Sequence, residues 1–151
     1  MKIILLFALF LFPFYAFTQK VNIKFQATEE TSEWIRKEWK SDWNEMKSPI
    51  NIEFNGEVLK MYYNSGKLFG QYTVASYEKK DAKNEHSPTI TGEIYTLEVK
   101  DEKNRIVKYL VLRTHFFGFK EGIEWYRLEI PFVGKDDKKV YSYQFYQGWT
   151  E

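Results

Sequence analysis

Beyond Lys47 the dominant spacing of apolar positions along this chain is two. Ile50, Ile52 and Phe54 alternate with Asn51 and Glu53. That spacing gives an extended strand one apolar and one polar face. Asn55-Gly56 follows. Both residues tolerate positive φ, so the pair predicts a tight hairpin turn with a return strand over 57–63. Asn64-Ser65-Gly66 predicts another turn, and 67–77 a long strand rich in Tyr, Phe, Thr and Val. Residues 79–88 are polar and end in Pro88, which predicts a loop. Further strands are expected over 89–100, 105–115, 124–131 and 139–147. They are separated by turns at 101–104 and 134–138 and by a loop at 116–122 that holds two glycines. With 21–27 at the front, eight strands are expected.

Short turns between neighbours make adjacent strands antiparallel. The fold class expected is therefore all-β, an antiparallel meander of about eight strands. Eight strands close into a barrel whose interior holds side chains or one small ligand, and closure removes exposed edges. A two-sheet sandwich has the same turn spacing and stays open as the alternative.

Residues 28–47 break the alternation. Ile35, Trp39, Trp43 and Met46 recur at spacings of 4, 4 and 3, one face of a helix, with Thr28 as a cap and Glu29-Glu30 in the first turn. Ser41, Asp42 and Asn44 are mediocre helix formers. A short helix over 29–46 is expected, with an extended continuation of the first strand as the other option.

The front of the chain has a different character. Met1-Lys2 is followed by an apolar run from Ile3 to Phe17, interrupted only by Pro13, with the small residues Ala16 and Thr18 before Gln19. That is the layout of a secretory signal peptide over 1–18. The run of about 15 residues is shorter than the roughly 20 that span a bilayer. The expected arrangement is a signal peptide followed by one domain over 19–151, periplasmic or extracellular, with no transmembrane segment in the mature chain.

Composition narrows the function classes. The chain has 22 Lys and Arg against 21 Asp and Glu, and removal of Lys2 with the leader balances them. A neutral domain lacks the basic stripe of a dedicated nucleic-acid binder. With no cysteine there is no disulfide framework, no thiol nucleophile and no thiolate metal site. An exported domain of this kind is held by its apolar core alone.

The ordered features are a leader, a short strand, closely spaced Trp34, Trp39 and Trp43, then Pro49-Ile50-Asn51-Ile52 with a hairpin, and a meander ending in a tyrosine-rich strand. This layout resembles the small exported lipocalin-like, calycin-type β-barrel proteins of Gram-negative bacteria, over most of 19–147. The resemblance implies a β-barrel and a cavity for a small ligand. It implies no catalytic residue.

The residues themselves point to binding rather than catalysis. His86 lies among turn formers beside Ser87-Pro88 and reads as solvated. His115 ends the most β-prone run, and no second histidine stands at ligand spacing. No metal site and no cofactor are expected, since zinc sites want three or four protein ligands. A hydrolase centred on His115, completed by Glu121 or Glu124, is the weakest reading, because no nucleophile elbow or phosphate-cradling loop is present. Glu124 and Glu129 fall on opposite faces of one strand.

Aromatic residues are the compositional anomaly, with 13 Phe, 11 Tyr and 5 Trp. Most are expected in the core and in cross-strand pairs. Trp125 and Arg127 share one strand face, with Tyr141, Tyr143 and Phe145 on one face of the next strand. Arg113 is an inward cation near the barrel mouth or a solvated arginine, according to which face of 105–115 turns in. Arg113, Trp125, Arg127 and Tyr143 are therefore the candidates to hold a small ligand in the mouth of a non-catalytic binding barrel. The alternative function is recognition of a protein or glycan through exposed aromatics, with Trp34, Trp39, Trp43, Phe116, Phe117 and Phe119 as candidates. Phe116, Phe117 and Phe119 are expected in a loop that folds over the barrel end as a plug, or else lie exposed. Trp39 and Trp43 are expected to be mostly buried in a segment that closes one end or side of the barrel.

Overall fold

The computed structural model describes residues 20–34, 39–40, 42–84, 87–135 and 138–150. The leader expected over 1–18 and His86 lie outside them. The strands are β1 (Ile23–Trp34), β2 (Trp39–Lys40), β3 (Asn44–Phe54), β4 (Val58–Tyr63), β5 (Leu68–Asn84), β6 (Ser87–Lys100), β7 (Ile106–Lys120), β8 (Ile123–Val133) and β9 (Val140–Thr150). Sheet order is β2-β1-β3-β4-β5-β6-β7-β8-β9, and β1 also pairs with β9. That last pairing closes eight antiparallel strands into a barrel, which removes the sandwich alternative. The two-residue β2 only folds back onto the end of β1.

Alternation sets the interior. Phe25 aligns with Ile52 and Ile52 with Met61, while Ile23 aligns with Phe54 and Phe54 with Leu59. Cross-strand partners share a face. Leu97, Leu110, Leu112 and Leu128 complete the centre with no exposure. The outward positions between them, such as Lys24, Glu53, Lys60 and Gln71, are polar. Barrels that cross membranes have the reverse arrangement, apolar outside and polar within.

β1 serves two neighbours. Its first half pairs with β3 through Ala27, and from Glu29 to Trp34 it pairs with β9. A bulge between Ala27 and Glu29 marks the change. After the bulge Glu30 aligns with Tyr146, so the inward set switches from odd to even positions. Where β9 crosses β1, Gly148 lies against the Gln26 carbonyl, and any side chain there would collide with it.

Three expectations need correction. The helix over 29–46 is absent among the described residues: 29–34, 39–40 and 44–46 are strand. Backbone pairing with β9 and β3 outweighs the helical spacing of the apolar residues. The loop expected over 79–88 is mostly strand, since β5 and β6 run on to Asn84 and start at Ser87. The loop expected over 116–122 is likewise the tip of the β7–β8 hairpin, with its turn at Glu121-Gly122. Backbone pairing across each hairpin holds these stretches as strand without an alternating pattern of side chains.

Candidate functional site

The barrel has two ends. One carries the start of β1, the turn at 54–58 and the two long hairpins. The other carries the turns at 63–68 and 100–106, the end of β8 and the start of β9. At the first end the interior changes chemistry within one step along β5, β6 and β7. Tyr95 aligns with Leu112, and the next inward pair is Glu93 with Thr114. On β5 the inward residues opposite Leu97 and Tyr95 are Tyr77 and Lys79. The Lys79 ammonium lies 2.5 Å from a Glu93 carboxylate oxygen, and the Tyr95 hydroxyl donates to the other at 3.1 Å. Burial pushes the Glu93 carboxyl up, but the bonds from Lys79 and Tyr95 outweigh it and hold it below the usual carboxylate range. These residues line a cleft of ≈680 Å³ together with Lys20, Val21, Asn22, Ile23 and His115.

His115 stands on the rim for a backbone reason. A bulge interrupts β7–β8 pairing between Arg113 and Phe116, and His115 takes φ 52. Its ring turns to β8, where Nδ1 lies 2.8 Å from Glu124 Oε2 and 2.9 Å from the Tyr126 hydroxyl. Tyr126 also donates to Glu124. Burial opposes the charge on Glu124, and the Tyr126 and His115 contacts overcome it, leaving the carboxyl below its usual value. Burial and the Glu124 bond raise the Tyr126 hydroxyl far above the ordinary phenol range. The Thr114 hydroxyl, fully buried beside this group, has no hydrogen-bond partner among the described residues.

A second cluster covers the outside of β8 and β9. Arg127 lies 4.4 Å from the Trp125 ring centre, 4.8 Å from Trp43 and 5.8 Å from Phe145. Gln147, buried, accepts from Trp125 Nε1 at 3.1 Å and from Arg127 Nη2 at 3.0 Å. It donates onward to Glu29 at 2.5 Å. Burial lowers the Arg127 guanidinium, with Glu129 acting in the opposite sense. Arg113 bonds Glu129 at 2.6 Å on the same face, and Tyr143 stacks on Phe145 at 5.9 Å.

The strand faces thus bring Arg113, Trp125, Arg127 and Tyr143 together as expected, but in a different place. They form a strip on the outside of the barrel, because Leu112, Thr114, Tyr126 and Leu128 take the inward positions. They do not lie in the barrel mouth. Arg113 is neither an inward cation nor freely solvated: it is paired. Trp43 is half-buried over the strip and touches Phe145. The backbones of Trp34 and Trp39 pair with each other, and their side chains lie outside the described residues. Phe116 is buried against Trp125 at 5.5 Å on the outer face, and Phe117 is exposed. Neither plugs the end. The side chain of Phe119 lies outside the described residues.

Sequence reasoning missed Lys79, Glu93, Tyr95 and Tyr126. Lys79 lies in the stretch whose polarity predicts a loop. The signal available for the others was parity, since each continues the inward alternation of its strand. No family model, curated protein or solved structure matches the chain.

Proposed function

We propose that this chain is an exported, non-catalytic binding module that takes a small polar ligand at the His115 end of its barrel. The single observation that carries this reading is the step from an apolar axis to Lys79, Glu93, Tyr95, Glu124 and Tyr126 at one open end. Binding sites combine an apolar bed with a few convergent polar groups, and this end has both. Tyr77 supplies an exposed ring, and Lys79 and Glu93 supply opposite charges for a ligand that both donates and accepts. The leader-like residues at 1–18 support export.

The test is mass spectrometry of the protein purified from its natural host, followed by exchange of any retained compound into Lys79→Met and Tyr95→Ala variants. A retained small molecule that the variants release supports the reading. An empty protein, whose amide spectrum at 77–95 ignores host metabolite extract, overturns it.

One observation favours a second reading, acid–base chemistry at His115. Its Nδ1 is within hydrogen-bond reach of both Glu124 and Tyr126 at the edge of a cleft. Turnover of the retained compound by wild type, abolished in His115→Gln, replaces the binding reading with this one.

A further inference from the structure

The opposite end of the barrel holds a different arrangement. Lys108 aligns with Val99, so its side chain occupies an inward position between strands β6 and β7. Its ammonium lies 4.7 Å from the centre of the Tyr72 ring. Among the described residues no carboxylate pairs with it. The nearby acid in the turn, Asp101, is already engaged. It accepts the Arg105 guanidinium at 2.9 and 2.7 Å and the Lys103 and Arg105 amides at 2.9 and 3.0 Å. Half-burial lowers the Lys108 ammonium, with no neighbouring charge acting on it. A partly desolvated cation is costly until a counter-ion reaches it.

The surroundings say what that counter-ion is attached to. Lys108 lines an open cleft of ≈520 Å³ with Tyr72, Val99 and Val107. Lys100, Lys103 and Arg105 surround it, against Asp101 and Glu102. The floor is apolar and aromatic, while the rim carries an excess of positive charge. We propose that this cleft binds a small organic anion, a carboxylate on an apolar or aromatic body, with Lys108 as its counter-ion and Tyr72, Val99 and Val107 as its bed. The site is separate from the one at the His115 end and does not depend on it.

The experiment titrates the full mature chain with phenylpropionate and with phenylpropanol, which share a body and differ in the charged head. Binding is read by amide chemical shifts and calorimetry. Wild type should bind phenylpropionate at least tenfold more tightly, with shifts at 72, 99, 107 and 108. Lys108→Met should abolish the preference and Lys108→Arg should keep it. Melting of Lys108→Met verifies folding, and Lys108→Gln is the second neutral variant should it fail. Equal affinity for the two compounds overturns the proposal. So does a preference that survives both neutral variants, or one lost instead in Lys79→Met at the other end.

Discussion

The ring of Phe116 lies directly across Gly92 on the outer face of the β6–β7 pair, closer than a β-carbon on that residue would permit. Phe116 reaches this position only because the bulge at His115 turns it to the outer face, where it packs on Trp125. Gly92→Ala must displace a buried ring. Overpacking of this kind costs about 1–3 kcal/mol. Thermal unfolding followed by circular dichroism should show a lowered midpoint, partly restored when Phe116→Leu is added. A Gly92→Ala protein that melts with wild type would show that the ring moves freely.

Arg127 joins the segment around Trp43 to the barrel wall by lying between Trp43 and Trp125. Each such contact is worth about 0.5–2 kcal/mol when partly desolvated. Trp43→Ala and Arg127→Met should each lower the urea midpoint, and the double variant should lose less than the sum by about 1 kcal/mol. Strict additivity would mean that ring and guanidinium merely adjoin.

Stability should fall in acid through two identified carboxylates. Glu93 and Glu124 sit below their usual values when folded, so the unfolded chain binds protons first as pH falls. Their contribution is complete above the unfolded value near about 4.3 and is lost as pH drops toward the folded one. Melting midpoints from pH 3 to 7 should be flat in the upper range and decline below it. Glu93→Gln and Glu124→Gln should decline less steeply. At the alkaline end the sign reverses for Tyr146, which burial, then Glu30, Tyr72 and Tyr63, push up to about 12. Its contribution is lost as pH rises from about 10, the unfolded phenol value, through that point.

At φ 52 His115 occupies the left-handed region. Glycine is at ease there, and a β-branched residue pays about 1–3 kcal/mol. Among variants that all lack the imidazole, His115→Gly should melt above His115→Val. The reverse order would mean that the bulge relaxes when the histidine leaves.

Much of the fold was written in period-two alternation and in turn residues. Asn55-Gly56 and Asn64-Ser65-Gly66 end strands where expected, because local chemistry alone decides such turns. The failures share a cause. Ile35, Trp39 and Trp43 have helical spacing, but 29–34 is held as strand by β9, more than a hundred residues away in the chain, and no local window contains that partner. The polar stretch 80–84 pairs with β6 through its backbone, and no apolar alternation marks it as strand. The candidate site was half legible. Parity grouped Trp125 with Arg127 correctly, yet mixed faces on β7 hid that Lys108, not Arg113, turns inward. The His115 group depended on one bulge, which leaves no mark in composition.

The shared strand β1 has a kinetic consequence. Its second half can find its partner only after β9 exists, and the contact between Glu29 and Gln147 spans 118 positions. Non-local seams of this kind are slow to form, because the loop entropy is lost before the contact is gained. Until the last strand arrives, β8 and the far half of β1 are both unpaired edges. A chain cut before Val140 would keep the meander from β3 to β8 and remain open, prone to stack with its own copies. Pairing of the final strand with β1 is therefore the step that closes the barrel.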